Sequence, residues 1–342
     1  MALIQIVNKI VVLGTGGTIA GLATDSSDNV GYTAAQVGVS DLLNDIPGLK
    51  KLMADCMLMT EQVAQVDSKD MGCEVWLRLA MRVSFYLEQA DVKGIVITHG
   101  TDTLEETAYF LHAVLPAPLL ALKPVVLTCA MRPASSVAPD GPQNMLDAFA
   151  VALTPSAAGV VVVCAGTLHG AVEVQKMHPY RLDAFSSGDA GPLGFIEEGR
   201  VRLIRNWPLA LINSAQLAIN TIAKINVLPR VEIVMNYAGA SGFMVDALVR
   251  RDGVALDVPP VCGLVVAATG NGSLHHDLEA ALLRAQAAGV TVVLATRCCE
   301  GQVLPRPGST FPDSRGLSPV KARVALMLAL LFSLPVPQRR GF

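Results

Sequence analysis

The sequence has few aromatic side chains, few charges and no cluster of basic residues. Aromatic residues make up 5% and charged residues 16% of the 342 positions, and the formal net charge is −3. Proteins that bind nucleic acid concentrate Lys and Arg where they contact phosphates. The composition therefore predicts no nucleic-acid partner.

Long hydrophobic runs are also missing. The longest, VALMLALLFSL from Val324 to Leu334, is well short of the roughly 20 residues that a bilayer requires, and it predicts a buried helix. The N-terminal stretch MALIQIVNKIVVLGTGG lacks the basic leader and cleavage site of a secretory signal, and it predicts a first strand instead. We therefore expect a cytoplasmic chain without membrane contact.

Motifs of several enzyme and metal-site classes are absent. The seven cysteines include no pair at metal-ligand spacing, and the six histidines form no H-x-x-x-H pattern with an acid. We therefore expect no bound metal. Neither the G-x-S-x-G motif of serine hydrolases nor the G-x-x-x-x-G-K-[ST] motif of nucleoside triphosphatases occurs. Three cysteines in apolar runs are predicted to be buried reduced thiols: Cys129, Cys164 and Cys262.

Short apolar runs, each followed by a turn and a helical pattern, recur along the chain. They are KIVVLGTGG, GIVITHGTD, PVVLTCAMR, GVVVVCAGT, VEIVMNYAGA, CGLVVAATGNG and TVVLATRCCE. This alternation is typical of mostly parallel sheets with crossover helices. We predict an α/β fold of two domains, each a mostly parallel sheet flanked by helices, the larger N-terminal one flavodoxin-like or Rossmann-like.

The alternation loosens between Gly199 and Pro229. We therefore predict an N-terminal α/β domain over residues 1–200 with most of the active site, a linker over 201–228 and a C-terminal α/β domain over 229–342.

In open α/β sheets, ligands bind beyond the carboxyl ends of the strands, so the residues after each strand are the first candidates for a site. The stretch VVLGTGGTIAG, residues 11–21, has Ile19 where the dinucleotide motif G-x-G-x-x-G requires glycine, and no second strand and acid follow at the expected distance. Two interpretations are left. Either the glycines form a tight turn and Thr18 caps a helix, or they admit a substrate to which Thr18 presents its hydroxyl.

A second group of polar residues follows the strand in GIVITHGTDTLEETAYFL. Asp102 and Glu105 have the spacing of a helix capping box. Alternatively, Thr101 and Asp102 face the same ligand as Thr18, because they occupy the equivalent position after a neighbouring strand. His99, at the end of a buried strand, is predicted to be a core residue rather than a base. Lys176 lies in a loop, where a lone lysine is usually solvated.

Seven motifs together resemble the bacterial-type L-asparaginases, in order and over nearly the whole chain. They are TGGTIAG (15–21), DSKDM (67–71), THGTDTLEETAYFL (98–111), AMRP (130–133), VQKMHPYRLDAF (174–185), GPLG (191–194) and TGNGS (269–273). The resemblance implies an amidohydrolase that releases ammonia from L-asparagine. It also implies two α/β domains, a homotetramer built as a dimer of dimers, and no cofactor or metal.

The resemblance also implies roles for individual residues. Thr18 corresponds to the nucleophile with Tyr32 as its loop partner, and Thr101, Asp102 and Lys176 correspond to a second catalytic triad. The positions that correspond to substrate contacts are Ser68, Lys69, Gly100, Ala130, Asn271 and Ser273, the last two contributed by a neighbouring subunit.

The chain departs from the family pattern in ways that leave its substrate open. Lys69 stands where many members have Gln or Glu, and it either pairs with the substrate carboxylate or points outward. Ser273, where stricter asparaginases often have asparagine, is compatible with some glutaminase activity. Some members contribute an acidic residue to the site of the neighbouring subunit, and this residue has no clear counterpart in the sequence. The alternatives are a glutaminase-asparaginase, an amidase with another substrate, and a non-catalytic ligand-binding or nucleotide-binding protein.

Overall fold

The computed structural model describes residues 7–333 apart from 45, 54, 209–223, 226, 251–257 and 305–306. Within these ranges the chain forms thirteen strands and nine α-helices. They belong to two compact units, residues 1–223 and 224–342. Both units contain a parallel sheet of strands connected by helices, and the first unit adds antiparallel strands, which confirms the predicted α/β fold class.

An eight-stranded sheet forms the centre of the first unit, and a two-stranded ladder of β7 and β8 lies outside it. The strands of the unit are β1 (Asn8–Gly16), β2 (Cys56–Val66), β3 (Val92–Thr98), β4 (Val125–Thr128), β5 (Val160–Cys164), β6 (Thr167–Gly170), β7 (Gln175–Lys176), β8 (Phe185–Ser186), β9 (Gly194–Glu197) and β10 (Arg200–Leu203). Its helices are α1 (Val39–Asn44), α2 (Leu49–Leu52), α3 (Cys73–Leu87), α4 (Leu104–Val114), α5 (Ala117–Leu120) and α6 (Gly141–Leu153).

The strand order of this sheet is β10-β9-β6-β5-β4-β3-β1-β2. The first five strands of the chain run parallel in the order 2-1-3-4-5, which is the flavodoxin-like order. The remaining three strands pair antiparallel at the other edge. Chain order reverses between β1 and β3, so the carboxyl ends of these two strands flank the place where doubly wound sheets bind ligands.

The central strands are buried on both faces because helices cover the sheet on either side. Four consecutive residues of β1, Ile10 to Leu13, have no exposed surface. This burial explains their apolar, β-branched composition. The edge strand β2 alternates instead, with Met57 and Met59 exposed.

The second unit contains a three-stranded parallel sheet in the order β11-β12-β13. Its elements are β11 (Val231–Met235), α7 (Phe243–Val249), β12 (Gly263–Ala268), α8 (His276–Ala287), β13 (Thr291–Thr296) and α9 (Pro319–Ser333). The predicted buried helix from Val324 corresponds to α9, in which Val324 is fully buried; Leu334 lies outside the described residues. None of the described helices has the length and apolarity needed to cross a membrane.

The predicted domain limits fall near the division between the two units. Strand β10 begins at Arg200, the last residue of the predicted N-terminal domain, and pairs within the first unit's sheet. Residues 209–223 and 226 of the predicted linker lie outside the described residues. The limits at 200 and 229 remain a prediction.

Candidate active site

The loops that follow β1 and β3 touch each other through two glycines. Gly17 has φ +81°, in the left-handed region that favours glycine. A Cβ added at Gly17 would collide with the backbone of Gly100. Only a residue without a side chain permits this contact. Thr18 follows Gly17 and Thr101 follows Gly100, so the contact brings the two threonines to the place where chain order reverses.

The hydroxyl of Thr18 pairs with that of Tyr32. Thr18 begins a short 3₁₀ turn that ends at Ala20, and no side chain caps this turn. Thr18 is 7% exposed, and its Oγ1 lies 2.7 Å from the phenolic oxygen of Tyr32. The interpretation of Thr18 as a helix cap is therefore wrong. The loop that carries Tyr32 is fixed by the antiparallel bridge between Leu22 and Thr33.

Lys176 lies between Thr101 and Asp102. Its ammonium donates to Thr101 Oγ1 at 2.8 Å and to Asp102 Oδ1 at 2.6 Å. The lysine side chain is only 15% exposed, so the interpretation as a solvated surface lysine is wrong. The capping-box interpretation of Asp102 is also wrong, because α4 begins at Leu104, with Thr103 at the N-cap position and no side-chain cap.

Ser68 contacts the loop that follows β3. It is 2% exposed, and its hydroxyl accepts the backbone N–H of Asp102 at 3.2 Å. Its carbonyl accepts the hydroxyl of Thr103 at 2.7 Å. A Cβ added at Gly100 would lie 2.5 Å from Ser68 Oγ. Ser68, Gly100, Thr101 and Asp102 therefore form one contiguous group.

Lys69, the next residue, is oriented differently. Its side chain is 65% exposed, and its ammonium lies 2.6 Å from the Asp67 carboxylate. The hydrogen bond and the charge of Asp67 raise the pKa of Lys69. This geometry corresponds to the outward-pointing alternative.

Ala130 follows β4 and is fully buried. The two residues after it, Met131 and Arg132, donate their backbone N–H groups to the Asp140 carboxylate, both at 2.9 Å. Asp140 also accepts from Asn144 at 3.1 Å. Sequence reasoning did not identify this carboxylate, which fixes the loop after Ala130. The available signal was an Asp-Gly-Pro sequence at the start of a helical pattern.

Asn271 and Ser273 belong to the second unit, where they form a turn after β12. An antiparallel bridge joins Thr269 to Ser273, and Asn271 Oδ1 accepts the backbone N–H of Leu304 at 2.6 Å. Seven predicted site residues thus share one region of the first unit, whereas these two are held by contacts of their own unit. The seven are Thr18, Tyr32, Ser68, Gly100, Thr101, Asp102 and Lys176.

His99 is buried directly behind the candidate site, as expected for a core residue. One ring nitrogen, Nδ1, lies 2.7 Å from the carbonyl of Gly100, and Nε2 lies 2.9 Å from Thr107 Oγ1. Since a carbonyl only accepts, Nδ1 carries the proton and Nε2 accepts from Thr107. Thr107 Oγ1 in turn accepts the indole N–H of Trp76 at 2.8 Å. This chain of hydrogen bonds orients the Gly100 peptide.

His99 makes stability depend on pH. Burial lowers its pKa from the ordinary value of 6.5 to about 4. As pH falls below 6.5, His99 becomes protonated in the unfolded chain while it stays neutral in the folded chain. The free energy of unfolding therefore decreases between pH 6.5 and 4, by about 3 kcal/mol in total. We expect a His99→Gln variant to lose less stability than the wild type over this range when both are unfolded with denaturant. Parallel losses in the two proteins would contradict this assignment.

Within the described ranges, three potential metal ligands come together at the start of α8: His275, His276 and Asp277. His275 Nδ1 already accepts the backbone N–H of Asp277 at 3.3 Å. The N-terminus of a helix also disfavours a cation. The group therefore gives no support to a metal, and the expectation of a metal-free protein remains a prediction.

Two family models match the chain. The model described as "Asparaginase, N-terminal" matches residues 9–209, and the model described as "Glutaminase/Asparaginase C-terminal domain" matches residues 230–334. The chain belongs to the asparaginase family. The resemblance inferred from the sequence motifs is thereby confirmed.

Asparaginase-family relatives cover nearly the full chain. L-asparaginase 2 of Escherichia coli (strain K12) is 38% identical over 329 residues, which cover 94% of this chain and 88% of the relative. The glutaminase-asparaginase of Pseudomonas fluorescens biotype A is 34% identical over 331 residues, covering 94% and 86%. The crystal structure of a probable cytoplasmic L-asparaginase from Campylobacter jejuni matches with a TM-score of 0.86 and 34% identity, covering 97% of this chain and 98% of that one.

Proposed function

We propose that this chain hydrolyses L-asparagine to L-aspartate and ammonia, with Thr18 as the nucleophile. The observation that carries the proposal is the buried Thr18 hydroxyl, 2.7 Å from the Tyr32 hydroxyl at the switch point of the sheet. A threonine hydroxyl is a weak nucleophile that needs an adjacent group to take its proton. Tyr32 is within hydrogen-bond reach of that proton.

In the proposed first step, Thr18 Oγ1 attacks the side-chain amide carbon of asparagine while its proton passes to the Tyr32 hydroxyl, whose own phenolic proton is passed on toward the amide nitrogen. The C–N bond of the tetrahedral intermediate breaks as the nitrogen takes up this proton, ammonia leaves, and an aspartyl ester of Thr18 is formed. Backbone N–H groups near the turn stabilise the oxyanion. The N–H of Gly17 already donates to the Val66 carbonyl at 2.9 Å, and those of Ala20 and Gly21 donate within the turn, so this contribution is assigned to the amides of Thr18 and Ile19.

In the second step, water hydrolyses the ester and releases aspartate. Thr101, Lys176 and Asp102 act here and in the protonation of the leaving group, because together they form a short path for protons beside Thr18. With Lys176 charged, its ammonium donates to both neighbours, as in the observed geometry. In the reaction, the Lys176 ammonium gives a proton to Asp102, and its amine accepts the proton of the attacking water through Thr101; this proton is returned to Thr18 Oγ1 as the ester bond breaks.

Substrate contacts are assigned to residues around Thr18 and Thr101. The hydroxyl of Ser68, the carboxylate of Asp102 and the backbone near Gly100 and Ala130 hold the α-amino and α-carboxyl groups. Asn271 and Ser273 complete the site of a neighbouring subunit in a homotetramer arranged as a dimer of dimers. The protein works in the cytoplasm, like the relative named as a probable cytoplasmic L-asparaginase, and it uses no metal or cofactor.

A glutaminase-asparaginase is the second candidate. Three relatives of this chain bear that name, and Ser273 leaves more room than asparagine for a longer substrate. The purified protein supplied with L-asparagine and with L-glutamine in parallel tests both candidates through ammonia release. We expect the higher kcat/KM with asparagine; equal values would establish the second candidate, and no ammonia from either amide would reject both.

Lys69→Gln tests whether the exposed Lys69 contacts the substrate. A bound α-carboxylate would compete with Asp67 for the exposed ammonium, so we expect KM to rise several-fold while kcat stays unchanged. Stability should hardly change, since ion pairs at the protein surface contribute little. The exposed Lys93, replaced in the same way, is the control. Identical steady-state kinetics in Lys69→Gln and the wild type would mean that Lys69 only faces solvent.

A further inference from the structure

The backbone of Lys176 belongs to a very short element of secondary structure. It lies in β7, a strand of two residues, and its ladder with β8 consists of the pairs Gln175–Ser186 and Lys176–Phe185. The ammonium must nevertheless reach Thr101 at 2.8 Å. A long, rotatable side chain reaches such a target reproducibly only if its backbone is fixed in place.

Glu105 supplies a contact that fixes this backbone. Its Oε1 accepts the backbone N–H of Lys176 at 3.2 Å, and the residue is only 9% exposed. Glu105 lies in the first turn of α4, three residues after Asp102. The segment from Thr101 to Glu105 therefore contacts Lys176 at both ends: the ammonium meets Thr101 and Asp102, and the backbone meets Glu105.

The Glu105 carboxylate could also serve only to stabilise the start of α4. Acidic side chains in the first turn stabilise a helix through its dipole, and Glu106, the next residue, shares that turn. The two acids differ in one respect that bears on the site: Glu105 accepts the backbone N–H of Lys176. Glu106 is therefore a matched control.

We propose that Glu105 is a positioning residue for the amide hydrolysis: it holds the backbone of Lys176 so that the ammonium engages Thr101 and Asp102. The proposal rests on the proposed function of Lys176. A hydrogen bond to a charged acceptor is stronger than one between neutral groups. Displacement of a reacting group by about 1 Å can lower a rate about 100-fold. Loss of this contact therefore acts on kcat more than on KM.

Two substitutions separate the hydrogen bond from the bulk of the side chain. Glu105→Gln keeps an oxygen that can accept the Lys176 N–H, whereas Glu105→Met keeps the length and removes the acceptor. We expect kcat for asparagine to fall at least tenfold in Glu105→Met, with KM within about threefold of the wild type. We expect kcat to stay within about threefold in both Glu105→Gln and Glu106→Met.

A double substitution tests whether Glu105 acts through the lysine. In a Lys176→Met background, Glu105→Met should lower the residual kcat less than twofold, because the group that it positions is gone. The proposal is overturned if Glu105→Met retains the wild-type kcat, if Gln and Met lower it equally, or if Glu105→Met costs the same factor in both backgrounds. Absence of activity in the wild-type protein would instead reject the proposed function itself.

Discussion

Replacement of Thr18 by alanine is expected to lower kcat for asparagine by at least about 10³-fold, because a lost nucleophile leaves only binding and oxyanion stabilisation. Thr18 is 7% exposed and its hydroxyl pairs with that of Tyr32, so removal of the hydroxyl takes away one hydrogen bond and very little volume. The melting temperature should therefore change by only a few degrees. Ammonia release at saturating asparagine measures the first effect and thermal unfolding the second.

Two controls make this result specific to the hydroxyl of Thr18. Thr18→Ser keeps a hydroxyl at the same place and should retain far more activity than the alanine variant. Thr24→Ala removes an exposed threonine hydroxyl from the loop that follows and should leave kcat unchanged. Activity within tenfold of the wild type in Thr18→Ala would reject Thr18 as the nucleophile.

Replacement of Thr101 by valine is expected to have the second-largest effect, a loss of about 10²-fold or more in kcat. Valine matches threonine in shape, so the packing next to Gly100 is kept while the oxygen that accepts from Lys176 at 2.8 Å is lost. The lysine would then pair with Asp102 alone, and the path for protons would be interrupted. Comparison of kcat with KM separates this loss from a loss of substrate binding.

Thr101→Ser is the matched control, since it restores the hydroxyl without the methyl group. We expect serine to recover most of the lost rate. If valine and serine reduce kcat equally, the methyl packing and not the hydroxyl matters at this position. If Thr101→Val has wild-type kinetics, Thr101 has no part in the reaction.

The sequence predicted the buried strands well and the exposed ones poorly. β1 and β3 lie in the middle of the sheet, so both faces require apolar residues and the pattern is continuous. β2 was missed because it lies at the edge, where Met57 and Met59 face solvent and Gln and Glu interrupt the apolar residues. The short antiparallel strands β6, β9 and β10 have four residues each, too few for a period to be recognised.

The site could be predicted in part from strand ends alone. Thr18 and Thr101 were candidates because they follow strands that any parallel sheet brings together at one edge. Lys176 could not be derived in this way, since 74 residues separate it from Asp102 and no local pattern marks the contact. It was suggested only by the family resemblance.

Local rules failed at the same residues for a physical reason. The Asp102–Glu105 spacing is that of a capping box, but the Lys176 ammonium offers Asp102 a charged partner, and Glu105 accepts the Lys176 backbone instead. A tertiary ion pair thus replaces a local hydrogen bond. The local spacing of the two acids therefore predicted a helix cap, and only the family resemblance pointed to Lys176 as the partner of Asp102.

The central claim, that this chain hydrolyses asparagine through an ester of Thr18, is tested most directly by mass spectrometry. The wild-type protein mixed with asparagine and quenched within milliseconds should carry an aspartyl group on the peptide containing Thr18, and ammonia should be released in equal amount. The Thr18→Ala protein should carry none. Ammonia release by the wild type with no modified Thr18, or with the aspartyl group on Thr101, would contradict the account.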